Sequence, residues 1–61
     1  MKISELKRIL KKHKCRFVKN GGSHDRWFSP INGRYFMVPR HDSAEIPNGT
    51  KESILKQAGI K

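Results

Sequence analysis

Two spacings of apolar residues follow one another along the chain. Leu6, Ile9, Leu10 and His13 stand at i, i+3, i+4 and i+7, the stripe of an amphipathic helix, and Ser4 just ahead of them is a favourable N-cap. At about 100° per residue, Lys7, Lys11 and Lys14 fall on the opposite side with Arg8 and Lys12 beside them, so the helix has a basic outer face. His13, on the apolar side near the helix end, suits packing or capping.

From Cys15 the period drops to two. Cys15 to Lys19, with Phe17 and Val18, reads as a strand, and Asn20-Gly21-Gly22-Ser23 as a turn. His24 to Ser29 alternates again, with Trp27 on one face and His24, Arg26 and Phe28 on the other. Pro30-Ile31-Asn32-Gly33 is a hairpin loop marked by Asn-Gly, and Arg34 to Val38 returns with Tyr35 and Met37 opposite Phe36 and Val38. Aromatic residues stand on both faces, so alternation leaves open which face meets the helices. Pro39 closes the third strand and Arg40 to Pro47 reads as a loop. Asn48 is the expected N-cap of a second helix whose apolar side is Thr50, Ile54, Leu55 and Ala58, with Gly59 as its C′ residue. The order α-β-β-β-α predicts an α+β fold with two helices on one face of a three-stranded antiparallel sheet.

Size limits what this fold can do. A 7.1 kDa chain of 61 residues folds to roughly 4,100 Å² of surface from about 10,300 Å² unfolded. One core is expected, a single domain over residues 1–61, with no room for a bound dinucleotide. The 34% hydrophobic share is low, yet it falls in periodic clusters, which argues against global disorder. Cys15 is the only cysteine and can form no internal disulfide, and no Cys/His spacing suggests zinc. No P-loop, paired-carboxylate site or metal-ligand cluster stands out, so neither a metal nor a cofactor is expected. No apolar run reaches the length of a signal peptide or membrane span, and a reduced, cytoplasmic protein is the expectation.

Charge sharpens the picture. Fourteen Lys and Arg against five Asp and Glu give +9, and residues 1–19 hold eight of those bases against Glu5 alone. Such an imbalance costs stability through self-repulsion and implies a polyanionic partner: nucleic acid, an anionic membrane or an acidic protein. The most pointed local feature is Gly21-Gly22-Ser23-His24-Asp25. The glycines let backbone approach a ligand, their amides could line an anion site, and a histidine, the residue type suited to proton transfer near neutrality, follows at a strand start. In isolation the string also suits a plain hairpin loop. Beside a bound RNA backbone, however, an imidazole and positive charge suffice for cleavage, because RNA carries its own 2′-hydroxyl nucleophile. Lys19, Gly22, Ser23 and Arg26 surround this histidine in sequence, and Lys7, Lys11 and Lys14 extend the basic surface, so all seven are candidate RNA contacts. His41, in Val38-Pro39-Arg40-His41-Asp42, is a possible secondary site residue for which a structural role weighs most.

Gly22-Ser23-His24, the aromatic strand, Val38-Pro39-Arg40-His41 and Asn48-Gly49-Thr50 leading into Ile54-Leu55-Lys56-Gln57-Ala58-Gly59-Ile60 together resemble the HicA family of toxins over nearly the whole chain. The resemblance implies a double-stranded-RNA-binding-domain-like fold, translation-independent mRNA cleavage, and a HicB-like antitoxin as partner in a hetero-oligomeric complex. It also implies that His24 is the catalytic residue. Asp25 departs from the family pattern, where a second histidine or an apolar residue is frequent, and a carboxylate there would act on His24 or on docking. Two other classes are consistent with parts of the chain. A non-catalytic RNA-binding module would use the basic helix, Trp27 and Tyr35 for contact without cleavage. A membrane-surface peptide would need only the first helix, whose apolar stripe is narrow and lacks an aromatic anchor.

Overall fold

The computed structural model describes residues 1–61, and the predicted order is borne out. Helix α1 spans Ile3–Lys12, strands β1, β2 and β3 span Arg16–Gly21, His24–Ser29 and Arg34–Pro39, and helix α2 spans Asn48–Gln57. The strands form an antiparallel meander in the order β1-β2-β3. The packing of the helices settles which face is inner: Trp27, Phe36 and Val38 turn inward and join Ile3, Leu6, Leu10, Cys15, Ile46, Ile54, Leu55 and Ala58 in one core. Both helices therefore cover that face, and the face bearing His24, Arg26 and Phe28 stays open. The accessible surface is 4114 Å², the area its mass calls for.

β1 departs from simple alternation. Its register with β2 slips between Phe17 and Lys19, so Val18 sits in a bulge, and Phe17 and Val18 are 49% and 41% exposed. This edge strand lies outside the cover of the helices and buries none of its own residues.

The helix starts correct two expectations. Ser4 is not the N-cap of α1; the extended residue Lys2 is. Nor does Asn48 cap α2, which begins after Pro47 with no side-chain cap. At α1 a distant loop satisfies the free amides: the N–H groups of Ile3 and Ser4 donate to the carbonyls of Ala44 and Asp42, each at 3.0 Å. Glu5 Oε1 then accepts the N–H of Lys2 at 2.9 Å. At its other end the N–H groups of Lys14 and Cys15 return to the carbonyls of Lys11 and Leu10 at 3.0 and 2.9 Å, a Schellman closure with Lys14 at φ 70°. His13 is a capping residue, its Nδ1 bonded to the Ile9 carbonyl at 3.0 Å.

α2 ends as predicted with Gly59 at C′, whose N–H and that of Ile60 reach the carbonyls of Lys56 and Leu55 at 3.1 and 3.0 Å. The β2–β3 loop completes that end. Asn32 Nδ2 donates to the Gln57 carbonyl at 2.9 Å and the buried Ser29 hydroxyl to that of Ala58 at 2.5 Å. Each helix is thus locked at one end by a loop remote in sequence. No helix is long and apolar enough to cross a membrane.

Candidate active site

The turn between β1 and β2 is reduced to Gly22 and Ser23, because Asn20 and Gly21 still belong to β1 or its pairing with β2. Gly22 and the last β1 residue, Gly21, are needed for different reasons. Gly22 has φ +73°, a region that L side chains avoid. Gly21 pairs across from His24, and a Cβ there would lie 2.8 Å from the His24 carbonyl oxygen and 3.3 Å from Met37 Cε. This tight turn delivers His24 to the first position of the central strand, on the open face.

Ser23 Oγ lies 3.1 Å from His24 Nδ1, so the residue before the histidine fixes its ring. Nε2 makes no hydrogen bond within the protein. The imidazole borders a groove of about 440 Å³ that is lined on the sheet side by His24, Met37 and Pro39. Gly49, Thr50, Ser53, Ile54 and Gln57 of α2 line the other side. The N–H groups of Asn48, Gly49 and Thr50 have no protein acceptor, and α2 lines the groove with its flank from Gly49 to Gln57. No acidic side chain lines it. Sequence reasoning found the histidine but missed this second wall; the signal was Asn48-Gly49-Thr50, a helix start with no acidic residue in its first turn.

Asp25 is the main correction at the site. As the next residue in a strand it points away from His24, to the inner face, where it is only 7% exposed. Arg40 Nε stands 3.6 Å from its Oδ1 and Lys7 Nζ 4.0 Å from its Oδ2. Arg40 Nη1 also donates to the Gly22 carbonyl at 2.6 Å, and Lys7 Nζ to Asp42 Oδ1 at 2.6 Å. The buried carboxylate therefore anchors Arg40, which holds the turn that presents His24. Arg40 is a site residue that the sequence reading did not single out.

The remaining candidates divide accordingly. Lys19 and Arg26 are cross-strand partners on the open face, one step along the sheet from His24. Lys7 is taken up by Asp42 and Asp25, with its side chain only 16% exposed. Lys11 on α1 and Lys14 just beyond its C-terminus are exposed, but they lie towards the end where the chain enters β1. That end pairs with Phe28, far from His24. His41 is exposed in the β3–α2 loop; its carbonyl accepts the Ala44 N–H at 3.0 Å, and its ring is not part of the groove. Trp27 is 2% exposed and belongs to the core, so it cannot stack on RNA. No three His, Cys, Asp or Glu side chains come together as metal ligands.

A two-helix, three-strand domain with a basic surface and one ordered histidine at a groove is a double-stranded-RNA-binding-domain-like fold fitted with a candidate catalytic group. Residues 3–60 match the family described as HicA toxin of bacterial toxin-antitoxin, and the chain belongs to that family. It is 46% identical over 61 residues to the "Probable mRNA interferase HicA 2" of Photorhabdus laumondii, covering both chains in full. It is 38% identical to the "Probable mRNA interferase HicA" of Pseudomonas fluorescens, covering all of this chain and 98% of that one. Among solved structures it resembles a chain of the E. coli HicAB toxin-antitoxin complex, with a TM-score of 0.84 and 33% identity. That match spans 98% of this chain and 100% of the other.

Proposed function

We propose that the 61 residues act as one toxin domain, a metal-independent endoribonuclease that cleaves mRNA with His24 as its single catalytic histidine. The observation that carries this reading is the groove: an imidazole with a free Nε2 on one side, the flank of α2 on the other, and no carboxylate between them. The names of the two similar proteins, both mRNA interferases, support the same reaction class.

RNA needs little else. In one role His24 Nε2 takes the 2′-hydroxyl proton while O2′ attacks phosphorus, the P–O5′ bond breaks and water protonates the departing O5′, leaving a 2′,3′-cyclic phosphate and a 5′-hydroxyl. In the other role Nε2–H gives its proton to the departing O5′ while water takes the proton of the attacking 2′-hydroxyl. The Ser23 hydroxyl serves both by accepting from Nδ1–H, which is present in the neutral base and in the imidazolium acid alike. Lys19 and Arg26, beside His24 on the open face, stabilise the negative charge that grows on the phosphoryl oxygens.

The partner in this reading is a HicB-like antitoxin, in keeping with the toxin-antitoxin complex that the structural neighbour comes from. To inhibit by occlusion, it must cover the His24 groove. Purified protein incubated with a defined RNA in EDTA tests the reaction: fragments should carry 5′-hydroxyl ends and cyclic or 3′-phosphates. Fragments with 5′-phosphates, or activity lost on chelation, contradict it.

A further inference from the structure

The groove opens onto the uncovered face of the sheet, and that face is built for more than solubility. Alternation along β2 places His24, Arg26 and Phe28 on it, and the register adds Met37 and Tyr35 from β3 and Lys19 and Arg16 from β1. Tyr35 is 57% exposed and Met37 42%. The rings of Phe28 and Tyr35 stand 5.1 Å apart at 58°. A guanidinium lies over each: Arg16 is 5.2 Å from the Phe28 centroid and Arg26 is 5.1 Å from that of Tyr35. The only acidic residue in the three strands is Asp25, which faces the other way.

This face combines rings that can stack on bases with cations that can hold phosphates, and it offers nothing to repel them. It is continuous with the His24 groove. His24 and Phe28 are four residues apart on one strand, about 13 Å. A duplex keeps its bases stacked on each other and cannot present them to Tyr35. We infer that the open sheet face is a binding track for single-stranded RNA, leading from His24 across Arg26 to the Tyr35–Phe28 pair, where an unpaired base stacks. This deepens the ribonuclease reading and rests on it, adding the substrate class and a residue, Tyr35, that holds the strand.

The test measures binding apart from cleavage. Fluorescence anisotropy follows a labelled, unstructured oligoribonucleotide, and the same strand annealed to its complement, against His24→Ala protein carrying Tyr35, Tyr35→Phe, Tyr35→Leu or Tyr35→Ala. The single strand should bind about tenfold or more tightly than the duplex. Tyr35→Leu and Tyr35→Ala should each weaken single-strand binding about tenfold, within the range for one lost base stack. Tyr35→Phe should bind like the parent. Leucine keeps apolar cover over Phe28 but offers no ring, so a loss shared by Leu and Ala and absent from Phe identifies stacking. Parental affinity in Tyr35→Leu, or equal affinity for duplex and single strand, overturns the inference. So does a Tyr35→Leu protein that binds RNA normally but no longer associates with its antitoxin, which would make the face a protein dock. Cleavage of the same RNA by protein that retains His24 is scored separately: absence of cleavage with stacking intact defeats the ribonuclease reading and leaves the binding track standing.

Discussion

At the scale of single residues, the string Gly21-Gly22-Ser23-His24 resolves into four distinct tasks. One glycine clears the His24 carbonyl, the next takes a positive φ, the serine orients the ring, and the histidine faces the groove. Because Ser23 gives the imidazole its only hydrogen bond in the protein, Ser23→Ala should lower kcat by about 5- to 10-fold, equivalent to roughly 1 kcal/mol. KM and thermal stability should stay near the parent values, since Ser23 is exposed; steady-state kinetics on one oligoribonucleotide checks this. The histidine and its serine were legible in the sequence because they are neighbours in it. Arg40 was not, because its link to the Gly22 carbonyl spans 18 positions. Asp25 was legible only in part: strand alternation says that it points away from His24, but not that two cations await it on the far side.

At the scale of elements, strand periodicity carried most of the information. Trp27 against His24, Arg26 and Phe28, and Phe36 and Val38 against Tyr35 and Met37, lie on the faces that alternation assigned. What alternation could not supply was the choice of inner face, which depends on where the apolar sides of α1 and α2 settle. The helix starts were misplaced for a related reason. Ser4 and Asn48 are good local caps, but carbonyls from the Arg40–Pro47 loop already satisfy the first amides of α1, and those of α2 are left without a protein acceptor. One local flaw is visible at the end of α1, where Lys14 occupies a left-handed conformation that glycine accepts without strain. Lys14→Gly should stabilise the fold by about 1 kcal/mol and raise Tm by about 4–8 °C. Differential scanning calorimetry measures this, and an unchanged or lower Tm counts against the closure described for α1.

At the scale of the whole molecule, the +9 charge divides into cations paired within the protein and cations that lie free on its surface. Lys7 belongs to the first group, held between Asp42 and Asp25, and Lys19 to the second, exposed beside Arg26 on the open sheet. The sequence could place both in the basic first third of the chain but could not separate them, since Asp25 and Asp42 meet Lys7 only through the fold. Lys7→Gln should therefore destabilise the protein by about 1–3 kcal/mol, through the carboxylates it leaves behind. Lys19→Gln should leave stability almost unchanged and reduce the salt slope of RNA affinity by about 0.7. Denaturant melts and binding isotherms across a salt series separate the two. One imidazole at the edge of this basic surface is asked to do the chemistry, and a single rate tests that most directly: cleavage of a defined RNA in EDTA by His24→Ala against the parent, with folding verified. The expected result is a loss of about 10²- to 10⁴-fold in kcat with unchanged Tm and retained RNA binding. A folded His24→Ala protein that cuts at the parent rate would contradict the assignment.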